Sequence, residues 1–239
     1  MWSSVRSSRV ASHPDLPLPI QLRPIRTARR MRLRFDERDR MLKLTHPPGV
    51  RQSAALAWAA LQKAWIETQL QRALPAEPLV PGARIPVAGE EVELVWQEAA
   101  PRTPALEGAR LTCGGPESGF SRRIELFLKR LALDRLSAET ARVAAQAGVR
   151  AVSVSVGDAR TRWGSCTSSG AIRYSWRLIL APDEALRYVV AHEVAHLVHL
   201  NHGAEFRALE RKLFGGDTAA AEALLRETAP RLRRIGRDR

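Results

Sequence analysis

The feature that most constrains this chain is a cluster of histidines near its C-terminal end. Four of its six histidines lie between positions 192 and 202, and the first two stand in the pattern H-E-x-x-H, His192-Glu-Val-Ala-His196. The apolar residues around them predict a buried helix. Positions i and i+4 share one face of a helix, so both imidazoles can be directed to one point. Glu193 then lies to the side, where it can reach a metal-bound water without being a ligand.

A catalytic zinc site needs a third protein ligand and one open position. His199 shares the helix face but lies about 10 Å along the axis from His192, so three rings on a straight helix do not converge easily. His202 follows an asparagine, a residue type that can end a helix and turn the chain back. The spacing therefore favours His192, His196 and His202 as the zinc ligands. His199 and then Glu205 remain as alternatives for the third position.

The alternative to a metal site is a chance H-E-x-x-H in an ordinary helix. Three observations favour zinc over that interpretation. The helix begins with Pro182-Asp183-Glu184, a proline and acids suited to its positive end. A third histidine stands where it can complete the site, and burying several imidazoles without a partner is costly.

The periodicity of apolar residues predicts an α+β fold rather than alternating βαβ units. In the first half we expect a hairpin over 30–45, a helix over 53–74 and strands over 83–87, 91–96 and 109–113. In the second half we expect a helix over 122–147, a strand over 152–156, and a hairpin with arms 160–166 and 171–180. A helix then runs from Pro182 past Leu200, a second spans 204–214, and a third precedes the C-terminus.

The net charge of +13 is concentrated at the two ends of the chain. Residues 1–50 carry 11 Lys/Arg against 4 Asp/Glu, and residues 226–239 carry 6 against 2. The stretch 51–225 is nearly balanced, with 21 against 19. Basic ends of this kind hold polyanions through screened contacts, so we expect non-specific nucleic-acid contact through the tails, with plainly solvated ends as the alternative.

Other features of the sequence bear on location. No uncharged apolar run approaches the roughly 18–20 residues that cross a bilayer, so we expect no membrane span. Cys113 and Cys166 are too few for a disulfide scaffold and fit a reducing compartment. The N-terminus is rich in serine and arginine but lacks the apolar core of a secretory signal, and it is only faintly like a transit peptide. We therefore expect a cytoplasmic protein.

A series of short motifs surrounds the histidines in a fixed order: Arg162-Trp163-Gly164-Ser165-Cys166, Trp176–Pro182, Tyr188–His196, Asn201-His202 and Phe206. In this series the chain resembles the YgjP-like metallopeptidase domain family, relatives of the SprT-type zinc proteases, and the resemblance extends from about Arg26 to Phe214. The resemblance implies His192, His196 and His202 as zinc ligands and Glu193 as the catalytic acid/base. The chain departs from the family pattern at Ser175, and at Arg207, where a tryptophan is common.

The resemblance and the element order together divide the chain into four parts. We expect a disordered basic tail over 1–25 and a β-rich N-terminal part over 26–115. A zincin-like helix–hairpin–helix metallopeptidase core follows over 116–225, and a second basic tail over 226–239.

The segment before the histidine helix offers candidate substrate-binding residues. Zinc peptidases commonly bind an extended substrate beside an edge strand, and Gly164 allows close backbone approach there. Arg162 could hold a carboxylate or phosphate, or pair with Asp158. Trp163 could form a cleft wall or ordinary core. Tyr188 lies one turn before His192 and could donate to an oxyanion or simply pack.

These features predict a zinc-dependent metallohydrolase, in the first place a peptidase acting on a peptide or protein substrate, with Glu193 as general base. Cys166 is expected to be a small buried thiol rather than a fourth ligand, because a closed four-ligand site is structural. Two alternatives stand beside this hypothesis: a metal-dependent nucleoside triphosphate pyrophosphatase or phosphohydrolase, and a nucleic-acid-associated SprT-like protease.

Overall fold

The computed structural model of the chain describes residues 9–36, 39–72, 75–159 and 162–237, and over these it has an α+β fold. The strands are β1 (Arg9–Ala11), β2 (Ile20–Pro24), β3 (Arg32–Asp36), β4 (Met41–His46), β5 (Arg84–Val87), β6 (Glu90–Trp96), β7 (Ala105–Glu107), β8 (Arg110–Cys113), β9 (Ser153–Gly157), β10 (Gly164–Cys166) and β11 (Ala171–Ser175). The α-helices are α1 (Gln52–Ala60), α2 (Lys63–Arg72), α3 (Phe120–Gln146), α4 (Asp183–Ala195), α5 (Ala204–Phe214) and α6 (Thr218–Leu232). None of these described helices combines the length and the hydropathy of a membrane span.

The chain divides into two compact units between Ala76 and Glu77. The first unit contains a four-stranded sheet in the order β1-β2-β4-β3. β3 and β4 pair antiparallel with Leu33 opposite Leu44, which confirms the hairpin expected over 30–45. The helix expected over 53–74 is two helices, α1 and α2, and position 74 lies outside the described residues. The sheet and the helices enclose their own apolar core.

The expectation of a disordered basic tail over 1–25 is wrong for the described residues 9–25. β1 pairs with β2, and β2 pairs in parallel with β4, so that Ile20 lies beside Leu42 and Leu22 beside Leu44. Ile20 and Leu22 are buried. Alternating apolar residues give this segment a buried face, and the nearby prolines and arginines conceal that pattern in the sequence. Residues 1–8 lie outside the described residues.

The second unit has one continuous core, and this corrects the boundary expected at 115/116. Its four-stranded sheet has the order β5-β6-β8-β7, and its three-stranded sheet has the order β10-β11-β9. Leu94 and Leu111 from the first of these sheets belong to the same buried cluster as Leu128 of α3 and Val190 of α4. Because both sheets bury their apolar faces in that cluster, residues 77–115 belong to the second unit.

The C-terminal segment is also part of this core rather than a basic tail over 226–239. α6 continues to Leu232, and the side chains of Leu232 and Ile235 are buried. Arg177 donates a hydrogen bond to the Ile235 carbonyl at 3.0 Å. The arginines of this segment alternate with apolar residues that face the core, so a high local charge is compatible here with a packed helix. Positions 238 and 239 lie outside the described residues.

Two elements near the histidines end earlier than their patterns predict. The arm expected over 171–180 is a strand only to Ser175, after which Trp176–Leu180 forms a buried 3-10 helix. The helix expected to run past Leu200 stops at Ala195. The chain then turns before α5 begins at Ala204, as expected. The early end of α4 matters for the site, because it frees the residues after His196 to fold back.

Candidate metal centre

Three imidazoles converge at the C-terminal end of α4. One nitrogen atom from each of His192, His196 and His202 lies within 4.8 Å of the others. The Nε2 atoms of His192 and His202 are 3.3 Å apart. Two nitrogens bound tetrahedrally at about 2.0–2.1 Å from a zinc ion lie about 3.4 Å apart, so this spacing fits the ion. The donor set and its geometry therefore suit a metal of the zinc type.

The turn after α4 decides which histidine joins the cluster. His196 Nδ1 lies 3.1 Å from the His199 carbonyl oxygen and donates a hydrogen bond to it. This bond holds the turn and leaves Nε2 of His196 directed toward the cluster. The His199 ring lies instead near Glu205, with Nδ1 3.7 Å from its carboxylate. The structure thus brings His202 to the other two rings, and His199 and Glu205 lie apart from them.

Phe206 packs against all three rings of the cluster. Its ring centroid lies 5.1 Å from that of His192, 4.6 Å from that of His196 and 4.7 Å from that of His202. Phe206 is fully buried in the first turn of α5. A buried aromatic ring in contact with three imidazoles limits their rotation, so α5 fixes the geometry of the cluster.

Glu210 of α5 orients His192 from behind. Its Oε1 lies 2.6 Å from Nδ1 of His192, a hydrogen bond that the ring N–H donates. Arg207 donates a second hydrogen bond to Oε2 at 3.1 Å. Burial raises the pKa of Glu210, but the bonds from His192 and Arg207 outweigh it and hold that pKa below its usual value. The ionised carboxylate fixes the tautomer of His192, so that Nε2 is the ring nitrogen available to a metal.

Sequence reasoning missed Glu210 and the role of Arg207. The signal that could have found Glu210 is its position on the buried face of α5, together with Phe206, Leu213 and Phe214. A glutamate only 1% exposed on such a face needs a partner. The partner is 18 residues away in sequence, which is why no local pattern reveals it.

Glu193 is a buried carboxyl group beside the cluster. It is 5% exposed, and burial raises its pKa to about 7, against the opposing charges of His192 and Arg162. A carboxyl group with a pKa near neutrality can both accept and return a proton. Gly164 of β10 lies directly against it: a Cβ atom at that position would stand 2.4 Å from Oε1 of Glu193. The glycine of this motif therefore makes room for the glutamate.

The segment around Gly164 contains two of the other predicted site residues. Arg162 is exposed, and its charge acts on Glu193. Trp163 is half-buried and packs on the main core. The guanidinium carbon of Arg233 lies over its ring, 5.3 Å from the ring centroid. Asp158, the alternative partner considered for Arg162, forms ion pairs with Arg177 and Arg237.

Tyr188 and Cys166 both lie near the cluster but differ in their surroundings. Tyr188 is buried, and its ring meets the edge of Phe214 at 5.8 Å between centroids. Burial and the charge of Glu210 raise its pKa to about 12. Cys166 is half-buried rather than fully buried, and burial, then the charge of Glu193, raises the pKa of its thiol. Among the described residues, the set that could hold a metal contains no atom of Cys166.

A comparison with known protein families identifies the family of this chain. A family model described as the YgjP-like metallopeptidase domain matches residues 29–228. The chain therefore belongs to the YgjP-like metallopeptidase domain family. Membership in a metallopeptidase family implies a bound metal, and His192, His196 and His202 form a set that could bind one.

Two further comparisons add less. No curated protein matches the chain. One solved structure, the crystal structure of the metallopeptidase zymogen of Pyrococcus abyssi abylysin, is similar at 19% identity with a TM-score of 0.34. That similarity covers 43% of this chain and 97% of the other. The assignment to a family rests on the family match and the site.

Proposed function

We propose that the protein is a zinc-dependent peptidase in which His192, His196 and His202 hold the ion and Glu193 acts as general base. The observation that carries the proposal is the convergence of three imidazole nitrogens within 4.8 Å beside a carboxyl group of raised pKa. The long helix α3, the β10–β11 hairpin and α4 support the interpretation of this part as a zincin-like core.

The roles of the residues follow from their positions. When bound, a zinc ion polarises a substrate carbonyl and makes its water more acidic. Glu193 takes the proton of the attacking water and returns it to the leaving amine, so that the peptide bond breaks with no net change in the enzyme. The positive charge of Arg162 favours the ionised form of Glu193, which is the form that accepts a proton.

The edge strand β10 offers a place for the substrate backbone. β10 pairs with β11, and it is one of the two outer strands of its sheet in the described part of the chain, the other being β9. An extended peptide that pairs with β10 would run past Gly164 and hence past Glu193. The exposed Arg162 lies just before this strand and would meet a carboxylate of the substrate.

The experiment that tests the proposal compares the purified wild-type protein with Glu193→Gln. We expect one zinc per chain in both proteins, because the substitution leaves the three histidines in place. Only the wild type should cleave a mixture of denatured proteins. Absence of zinc, or cleavage by the variant at the wild-type rate, would overturn the proposal. Release of phosphate or pyrophosphate from nucleoside triphosphates without peptide cleavage would favour a nucleoside triphosphate pyrophosphatase or phosphohydrolase instead.

A further inference from the structure

The first unit carries most of the chain's excess positive charge. Residues 1–76 contain 14 Lys/Arg against 5 Asp/Glu, a net charge of +9 out of +13. Six of these basic residues are arginines within 12 positions: Arg23, Arg26, Arg29, Arg30, Arg32 and Arg34. No acidic residue occurs between Asp15 and Asp36. We refer to these six residues as the arginine patch.

The sheet of the first unit places part of this patch on its outer face. Along β3, Leu33 and Phe35 pack on the apolar core, so Arg32 and Arg34 point to the opposite face. Thr45 of β4 pairs with Arg32 on one side and with Arg23 of β2 on the other. The side chains of Arg32, Thr45 and Arg23 therefore form a row across the sheet. The remaining members lie in the exposed loop between β2 and β3.

The arginine patch is not neutralised by the described residues of the protein. All six side chains are exposed, and none forms an ion pair with any residue in the described part of the chain. Lys43, a further basic residue of this face, pairs with Asp36 and Asp39. In the second unit, by contrast, Arg231 pairs with Glu77 and Glu91, and it ties the C-terminal segment to the core. The arginines of the second unit that pair in this way are structural, whereas those of the patch are available to a ligand.

The spacing of these charges suits a repeating anion. Arg32 and Arg34, two residues apart on β3, lie about 6.7 Å from one another along the strand, and Arg23 and Arg32 lie about 9.6 Å apart because β4 runs between their strands. These backbone spacings are comparable with the Debye length of about 8 Å at physiological salt, so the charges are only partly screened from one another. A polyanion with regularly spaced phosphates relieves that repulsion and releases its own counterions. Arginine also presents a planar fork of donors that matches phosphate oxygens.

We propose that the arginine patch binds the phosphodiester backbone of a nucleic acid without sequence preference. The sequence predicts contact through the basic tails over 1–25 and 226–239, whereas this surface is formed by β2, β3 and the loop between them. No aromatic side chain alternates with the arginines along β2 or β3 on the outer face, so the surface offers charge and hydrogen bonds rather than a platform for stacking bases. The proposal concerns the first unit and does not depend on the metal site.

The test uses the full chain and a fluorescent DNA duplex of mixed sequence, titrated at several salt concentrations. In the test variant Arg23, Arg32 and Arg34 are changed together to Gln. In the control variant Arg110, Arg122 and Arg130, which are exposed in the second unit, are changed to Gln, so the net charge falls by three in both variants. Circular dichroism should show both variants folded, because all six substituted side chains, three in each variant, are exposed.

We expect steep salt dependence for the wild type and the control variant. For the test variant we expect binding about tenfold or more weaker, and a log–log salt slope shallower by about 2.7, because each phosphate that an arginine neutralises adds about 0.9 to the slope. Equal weakening in both variants would show that net charge alone matters and would overturn the proposal. The proposal would also be overturned if the wild type does not bind DNA, or if vesicles containing phosphatidylserine bind through these arginines and DNA does not.

Discussion

The close approach of Gly164 to Glu193 makes the site sensitive to a single added methyl group. In a Gly164→Ala variant the added methyl carbon would stand 2.4 Å from Oε1, 2.6 Å from Cγ and 2.7 Å from Cδ of Glu193. Nonbonded heavy atoms need about 3.4 Å or more, so the carboxyl group must retreat by about 1 Å. The added carbon would clash with the Glu193 side chain from Cγ to the carboxylate, and this side chain is buried, so it cannot simply rotate into solvent.

The consequence is a loss of activity without a loss of metal. A displacement of about 1 Å in a catalytic group costs on the order of 100-fold in rate. The overpacking costs about 1–3 kcal/mol in the free energy of unfolding. The three histidines are untouched, so zinc content should stay at one per chain. The measurements are kcat/KM on a peptide substrate, zinc content and the midpoint of thermal unfolding.

Gly203→Ala is the matched control, because it makes the same change beside the same site. A Cβ atom at Gly203 meets only Oδ1 of Asn201, at 3.9 Å, which is an ordinary van der Waals distance. This control should keep wild-type activity within a few-fold. If Gly164→Ala were as active as the control, the close approach of Glu193 to β10 would have no role in catalysis and the reasoning would be refuted.

The remaining predictions concern the groups that surround the proposed ion. Glu210→Gln removes the charge behind His192 and should weaken zinc affinity about tenfold or more, measured by competition with a chelator. Arg162→Gln removes a positive charge that lowers the pKa of Glu193. The pKa should therefore rise, and the acidic limb of the kcat/KM profile should move to higher pH. His202→Ala should lose zinc, as judged by metal analysis of the purified protein.

Each of these predictions has a control or a contrary result. Glu205→Gln changes a carboxylate that is 87% exposed, so its zinc affinity should match the wild type. An unchanged pH profile for Arg162→Gln would assign that residue to the substrate alone. His199→Ala should keep its zinc. If His199→Ala lost zinc and His202→Ala kept it, the third ligand would have to be reassigned.

The part of the site that could be predicted from sequence depends on local geometry. His192 and His196 face one point because four residues on a helix make about one turn. The sequence favours His202 because the chain can turn back after a helix end, and the structure brings it to the other two rings. The glycine of the motif, Gly164, predicts a close approach of the backbone at that position. The partner it approaches, Glu193, became clear only in the folded structure.

The parts that could not be predicted depend on contacts between distant segments. The pairing of β2 with β4 is parallel and joins residues 22 positions apart, so a tail and a strand look alike before the sheet exists. The unit boundary at Ala76 follows from which apolar faces share a core, and that sharing is decided by packing. The placement in the cytoplasm stays a prediction.

The zinc K-edge X-ray absorption spectrum of the purified wild-type protein shows directly whether three histidines bind a zinc ion that keeps one open position. If His192, His196 and His202 hold the ion, the zinc should have three nitrogen neighbours at about 2.0–2.1 Å and one light atom from solvent. The same spectrum should contain the multiple-scattering features of imidazole ligands. A sulfur neighbour at about 2.3 Å would mean that Cys166 closes the site, and the proposal of a hydrolytic centre would then be contradicted.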